Sequence, residues 1–112
     1  VLPARIPKKP KRASRWRSQA HCNFVRQHAC TNCGSVVAIE VAHVRKGSGA
    51  GIGQKPDDWN TVSLCRECHQ MQHSMGEDSF WGDRDPRAVI AAFIQASPRR
   101  MEIEALRRER GL

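Results

Sequence analysis

The sequence predicts an α+β fold: a small metal-clamped ββα core with flanking helices and a basic, extended N-terminal arm. Three observations predict it. Two Cys-x-x-Cys pairs, Cys30/Cys33 and Cys65/Cys68, stand 31 residues apart. Two short β-branched segments, parted by a glycine-rich loop, run between them. The second pair then opens onto His69 and His73, spaced four apart as on one face of a helix.

Composition narrows the class. A chain of 112 residues with 39% apolar and 5% aromatic content, and no Tyr, makes one domain with a thin core. A bound structural metal compensates for that. The net charge of +8 and pI near 10.0 favour a polyanionic partner, and nucleic acid is the usual one. No long apolar stretch or strongly basic amphipathic helix argues for a membrane surface. No leader or membrane span is evident, so a cytoplasmic setting is expected. Cysteine is present five times, and four of the five form the two pairs. That pattern suits zinc in a reducing compartment better than a secreted disulfide framework.

In chain order, residues 1–17 form the arm and residues 18–112 the domain. The arm carries Arg5, Lys8, Lys9, Lys11, Arg12, Arg15 and Arg17, no acid, and three prolines. It reads as a phosphate-gripping segment or a solubilising tail. Lys8, Lys9, Lys11, Arg12, Arg15 and Arg17, with Arg45 and Lys46 beyond, are the nucleic-acid-binding candidates. Residues 18–28 predict a short helix capped by Ser18, with Phe24 and Val25 inward. His21, Cys22 and His28 lack partners at metal spacing and read as packed or surface residues. Cys30 to Gly34 is a knuckle turn, and Val36–Val44 a strand that ends by delivering His43.

Residues 45–58 hold glycines at 47, 49, 51 and 53 without a P-loop or dinucleotide pattern, so they form a connector. Asn60–Leu64 is the second strand and Cys65–Met75 a helix that Gly76 stops. Phe80 and Trp81 serve as lid or packing residues. Asp85 and Pro86 are an N-cap and first-turn proline for a helix through about Ala96, with Val89, Ile90, Phe93 and Ile94 as its apolar stripe. Ser97-Pro98 repeats that signal for a last helix to about Arg110, with Met101, Ala105 and Leu106 inward.

Two constellations carry chemistry. Cys30, Cys33, Cys65 and Cys68 suit a tetrahedral four-thiolate structural zinc. A merged site of Cys30, Cys33, His69 and His73 also satisfies zinc, but leaves Cys65 and Cys68 idle. His43, Asn60, His69 and His73 make the second set. His69 and His73 share a helix face and can bind one ion together.

The pattern Ala42-His43, Asn60-x-x-x-x-Cys65-x-x-Cys68-His69 and His73 resembles the HNH endonuclease family (the ββα-metal, or His-Me finger, fold) over roughly residues 30–73. The run AHVRKGSGAGIGQKPDDW followed by LCRECH is similar to HNH nucleases of phages and prophages, among them the recombination-enhancement nucleases that cut DNA under RecA filaments. The resemblance implies a DNA endonuclease of a bacterial host cell, linked to recombination, with a RecA nucleoprotein filament as a partner. It implies His43 as general base and Asn60 as the residue orienting its imidazole. His69 and His73 would hold a divalent cation, such as Mg²⁺, Mn²⁺, Zn²⁺ or Ni²⁺, on the scissile phosphate. The products would carry 5′-phosphate and 3′-hydroxyl ends. Many members place Asp or His immediately before the base, where this chain has Ala42, which cannot ligate. Asp58 is the candidate to complete the shell, ahead of Asp57 and Glu40. The competing function is a non-catalytic zinc module that binds nucleic acid through its basic residues.

Overall fold

The computed structural model describes residues 1–7, 15–50 and 54–112; Lys8, Lys9, Lys11, Arg12, Gly51 and Gly53 lie outside them. The described chain is a mixed α+β fold with one two-stranded antiparallel sheet and five helices. Strand β1 (Ile39–His43) pairs with β2 (Thr61–Cys65), Ile39 facing Cys65 and His43 facing Thr61. The expected first strand began at Val36. It starts later because Ala38 sits at φ 54°, which breaks the extended run and leaves Val36 and Val37 exposed. All five residues of β2 are buried, with helices packed around it.

Helix α1 (Gln19–Arg26) starts as expected, with the Ser18 hydroxyl accepting from His21 N at 3.2 Å. Helix α2 (Arg66–Met75) follows β2 without a loop, carries Glu67 in its first turn, and ends at Gly76 with φ 84°. Cys68 and Gln72 form its buried face, and His69 and His73 stand one position further round. The short α3 (Glu77–Trp81) buries Phe80 and Trp81, so these two are packing residues. Helix α4 (Pro86–Ala96) has Asp85 as N-cap, its side chain accepting from Arg87 N at 2.9 Å, and packs Ile90, Phe93 and Ile94 into the core.

Helix α5 (Arg100–Glu109) begins later than the Ser97-Pro98 signal suggested. Ser97 is buried and its hydroxyl is shared between the His21 ring, 2.8 Å away, and Arg99 N at 3.1 Å, so it ties α1 to the α4–α5 turn. The inner residue of α5 is Ile103, fully buried, whereas the expected Met101 is exposed. Ile103 and the half-buried Leu106 are three apart, the true apolar edge of this helix.

The start of the body also moves. Trp16, placed in the arm by sequence, is a core residue stacked on Trp59 at 5.4 Å, with its indole N–H donating to Glu102 at 3.0 Å. Its backbone N–H donates to Asp57 at 2.6 Å. Arg15 and Arg110 reach the same buried carboxylate at 3.4 and 3.0 Å. Asp57 is therefore a structural knot joining the chain near residue 16 to α5, not a metal ligand. No helix among the described residues is long and apolar enough to cross a membrane.

Candidate active site

The four cysteines converge as the two-pair spacing requires. One ligand atom from each of Cys30, Cys33, Cys65 and Cys68 lies within 4.8 Å of the others, and Cys33 Sγ stands 3.7 Å from Cys65 Sγ. Sulfurs about 2.3 Å from a central ion at tetrahedral angles are separated by about 3.8 Å. The cluster can hold a structural metal such as zinc. Although burial raises the Cys30 thiol pKa, donation from the backbone at Cys33, Cys65 and Asn32 outweighs it and lowers it to about 6. Among the described residues this is the one group of three or more such ligands, and it excludes the merged Cys/His alternative.

A cleft of about 990 Å³ opens beside the sheet, lined by His43, Asp58, His69, Gln72 and His73, with Arg17, Arg26, Arg45, Lys46 and Lys55 around it. His43 reaches it from the end of β1. A tight turn precedes β2, with Asn60 N bonded to Asp57 O at 3.0 Å and Thr61 Oγ1 to Asp58 O at 2.8 Å. That turn lays the Asp58 carboxylate against the imidazole, Nε2 to Oδ1 at 2.9 Å.

Asp58, expected as a third metal ligand, is instead the partner of His43. Its second oxygen accepts Ser18 N at 2.8 Å, and Arg17 lies 3.5 Å away. Asn60, expected to orient His43, makes no hydrogen bond to the ring. Its carbonyl accepts Val44 N at 2.8 Å and its side chain makes no bond to the imidazole. Burial lowers the His43 pKa below 6.5, and the Asp58 bond and charge recover only part of that. Burial raises the Asp58 pKa, but the bonds from His43 and Ser18 N and the nearby charges outweigh it, leaving it below 3.8.

His69 and His73 meet each other as their spacing demands, Nε2 to Nε2 at 3.2 Å. Two nitrogens bound at about 2.0–2.1 Å to one tetrahedral ion stand about 3.3 Å apart, so this pair fits a divalent cation. Behind His69, Nδ1 meets Glu40 Oε1 at 2.9 Å, and that bond is the main cause of a lowered Glu40 pKa. Ala42 is fully buried in the core and faces no ligand role. Gln72 links the two halves of the site. Its amide accepts the Trp81 indole N–H at 2.8 Å and donates to His43 O at 3.5 Å.

The basic candidates divide. Arg15 is spent on Gly49 O, Gln54 and Asp57, and Arg17 on Pro56 O, Lys55 O and Asp58, so both brace the loop before β2. Only Arg17 of the two also lines the cleft. Arg45 and Lys46 border the cleft too, with their backbone N–H groups held by Glu77 at 2.7 and 3.0 Å.

Sequence reasoning passed over Gln72, read Trp81 only as a lid or packing residue, and ranked Glu40 low and only as a ligand. No short motif marks them: Gln72 and Glu40 each meet a partner 29 residues away, and Trp81 acts through Gln72. No curated protein and no solved structure matches the chain. One family model does, over residues 2–81, which takes in the cysteine cluster, the hairpin and every cleft residue named above. The chain thus belongs to the family described as protein of unknown function (DUF968).

Proposed function

We propose that this protein is a metal-dependent DNA endonuclease of HNH type, with His43 as general base. The observation that supports it is the meeting, in one basic cleft, of a carboxylate-held histidine and a histidine pair spaced for one cation. Asp58 accepts the Nε2 proton of His43, so Nδ1 is the basic atom. The depressed pKa keeps the ring neutral at neutral pH, ready to take a proton from the attacking water. Arg26, Arg45, Lys46 and Lys55 attract and seat the phosphate backbone. A divalent cation on His69 and His73 supplies Lewis-acid stabilisation of the phosphate and the leaving oxygen. The four-cysteine cluster, as a zinc site, holds the hairpin and α2 in the register that brings these groups together. On the same reading the enzyme acts in recombination in a bacterial cell, and its substrate is DNA paired under a RecA filament.

The test is a plasmid-nicking assay with added Mg²⁺, Mn²⁺ or Co²⁺, with and without RecA-coated single strands. The wild type is expected to cut, and His43→Ala to cut at least about 100-fold more slowly. Equal rates for the two would remove His43 from the mechanism. DNA binding without cutting under every condition would favour the non-catalytic zinc module.

A further inference from the structure

We infer that Glu40 is a positioning residue, whose carboxylate fixes the His69 imidazole so that its Nε2, beside Nε2 of His73, is the atom offered to a cation. The inference rests on the proposed cation site and deepens it. An ionised carboxylate only accepts hydrogen bonds, so at 2.9 Å from Glu40 Oε1 the His69 Nδ1 must carry the proton. Its Nε2 then bears the lone pair, and it lies 3.2 Å from the corresponding atom of His73. Glu40 sits on β1 opposite Leu64, and α2 folds back so that its first turn meets that strand. Arg66, at the start of α2, holds the other oxygen of Glu40 at 3.6 Å. The carboxylate thus stands behind the ring, on the side away from His73. It is a hydrogen-bond acceptor that sets tautomer and ring direction, not a ligand. Partners of this kind typically change metal affinity 10- to 100-fold when removed. Two neutral imidazoles with no directly bound carboxylate suit first-row transition ions better than Mg²⁺.

The experiment uses the full chain with zinc in its cysteine cluster and needs no DNA. Nitrogen NMR shifts of His69, read at about pH 8 without a second cation, report which ring nitrogen carries the proton. Calorimetric titration with Co²⁺ then reports affinity, and the cobalt spectrum separates imidazole from thiolate ligation. Wild type is expected to show the Nδ1–H form and to bind one Co²⁺ without thiolate character. Glu40→Ala is expected to lose that tautomer preference and about 10- to 100-fold in affinity. Glu40→Gln keeps an acceptor oxygen and retains more affinity than the alanine variant. Both variants should keep one zinc per chain and the wild-type circular dichroism, because Glu40 is partly exposed. An Nε2–H form in the wild type, no second cation in the wild type, or an unchanged tautomer and affinity in Glu40→Ala would each overturn the inference. If tautomer and affinity behave as stated but DNA stays uncut, the inference stands and the nuclease reading falls.

Discussion

Replacing Asp58 by Asn changes one atom and tests the centre of the site. The two carboxylate oxygens serve different donors, Oδ1 the His43 ring and Oδ2 the Ser18 backbone N–H. An amide has only one acceptor oxygen, so its NH₂ must face one of the two. If it faces Ser18, a half-buried N–H loses its acceptor. If it faces His43, the ring must accept at Nε2 and move its proton to Nδ1, which abolishes the base. Charge-assisted hydrogen bonds are worth roughly 1 kcal/mol more each than neutral ones, so weakening two costs about 2 kcal/mol. Arg17 adds nothing to that sum, because its side chain is 44% exposed. For a domain of this size the loss corresponds to a melting point about 10 °C lower. The nicking rate should fall by about 10²- to 10⁴-fold, the scale of a histidine held in the wrong tautomer.

The pH dependence has a fixed sign. Asp58 raises the pKa of His43, so removing its charge lowers that pKa further. The acid limb of the residual activity should move to lower pH than in the wild type. The folded pKa of Asp58 lies below 3.8, so its contribution to stability is present above that value and is lost as pH falls through the folded pKa. The stability gap between wild type and variant should therefore close only in acid. Thermal unfolding followed by circular dichroism, with a pH–rate profile, measures both effects. A melting point within 2 °C of wild type and an unmoved acid limb would refute the reasoning.

Asn60→Ala should change nicking by less than about tenfold, since its side chain makes no hydrogen bond to His43; a 100-fold loss in a folded variant would return the orienting role to it. Chelation of the zinc-loaded protein should unfold it cooperatively, because structural zinc supplies on the order of 10 kcal/mol against a typical total of about 5–15 kcal/mol; retention of native circular dichroism in the metal-free chain would show that the cluster does not hold the fold. Deleting residues 1–14 removes Arg5, Lys8, Lys9, Lys11 and Arg12 and should lower the salt slope of DNA binding by at most about 4–5 log units per log salt. An unchanged slope would exclude these residues from phosphate contact. A deletion running through Arg15, Trp16 and Arg17 tests something else, since it removes core packing and the partners of Asp57 and Asp58, and should unfold the protein.

Legibility in the sequence followed the range of the interaction. The two Cys-x-x-Cys turns, the Ser18 and Asp85 caps, and the pairing of His69 with His73 depend on residues a few positions apart. There, backbone geometry converts spacing directly into proximity, so a linear pattern suffices. The convergence of the distant cysteine pairs was also readable, because a tetrahedral ion needs four ligands and the chain offers two matched halves. Only the tertiary structure decided which carboxylate meets which imidazole. Asn60 was expected at His43 and Asp58, two residues before it, at the cation, yet the turn before β2 brings the Asp58 carboxylate to the ring. Glu40 reaches His69 because α2 folds back over β1, and Trp16 turns inward with Arg15 and Arg17 lying over the carboxylates of Asp57 and Asp58, whose charge would otherwise be unpaired. Such partners are chosen by chain crossings and by the cost of burying a lone charge, quantities that no local pattern encodes.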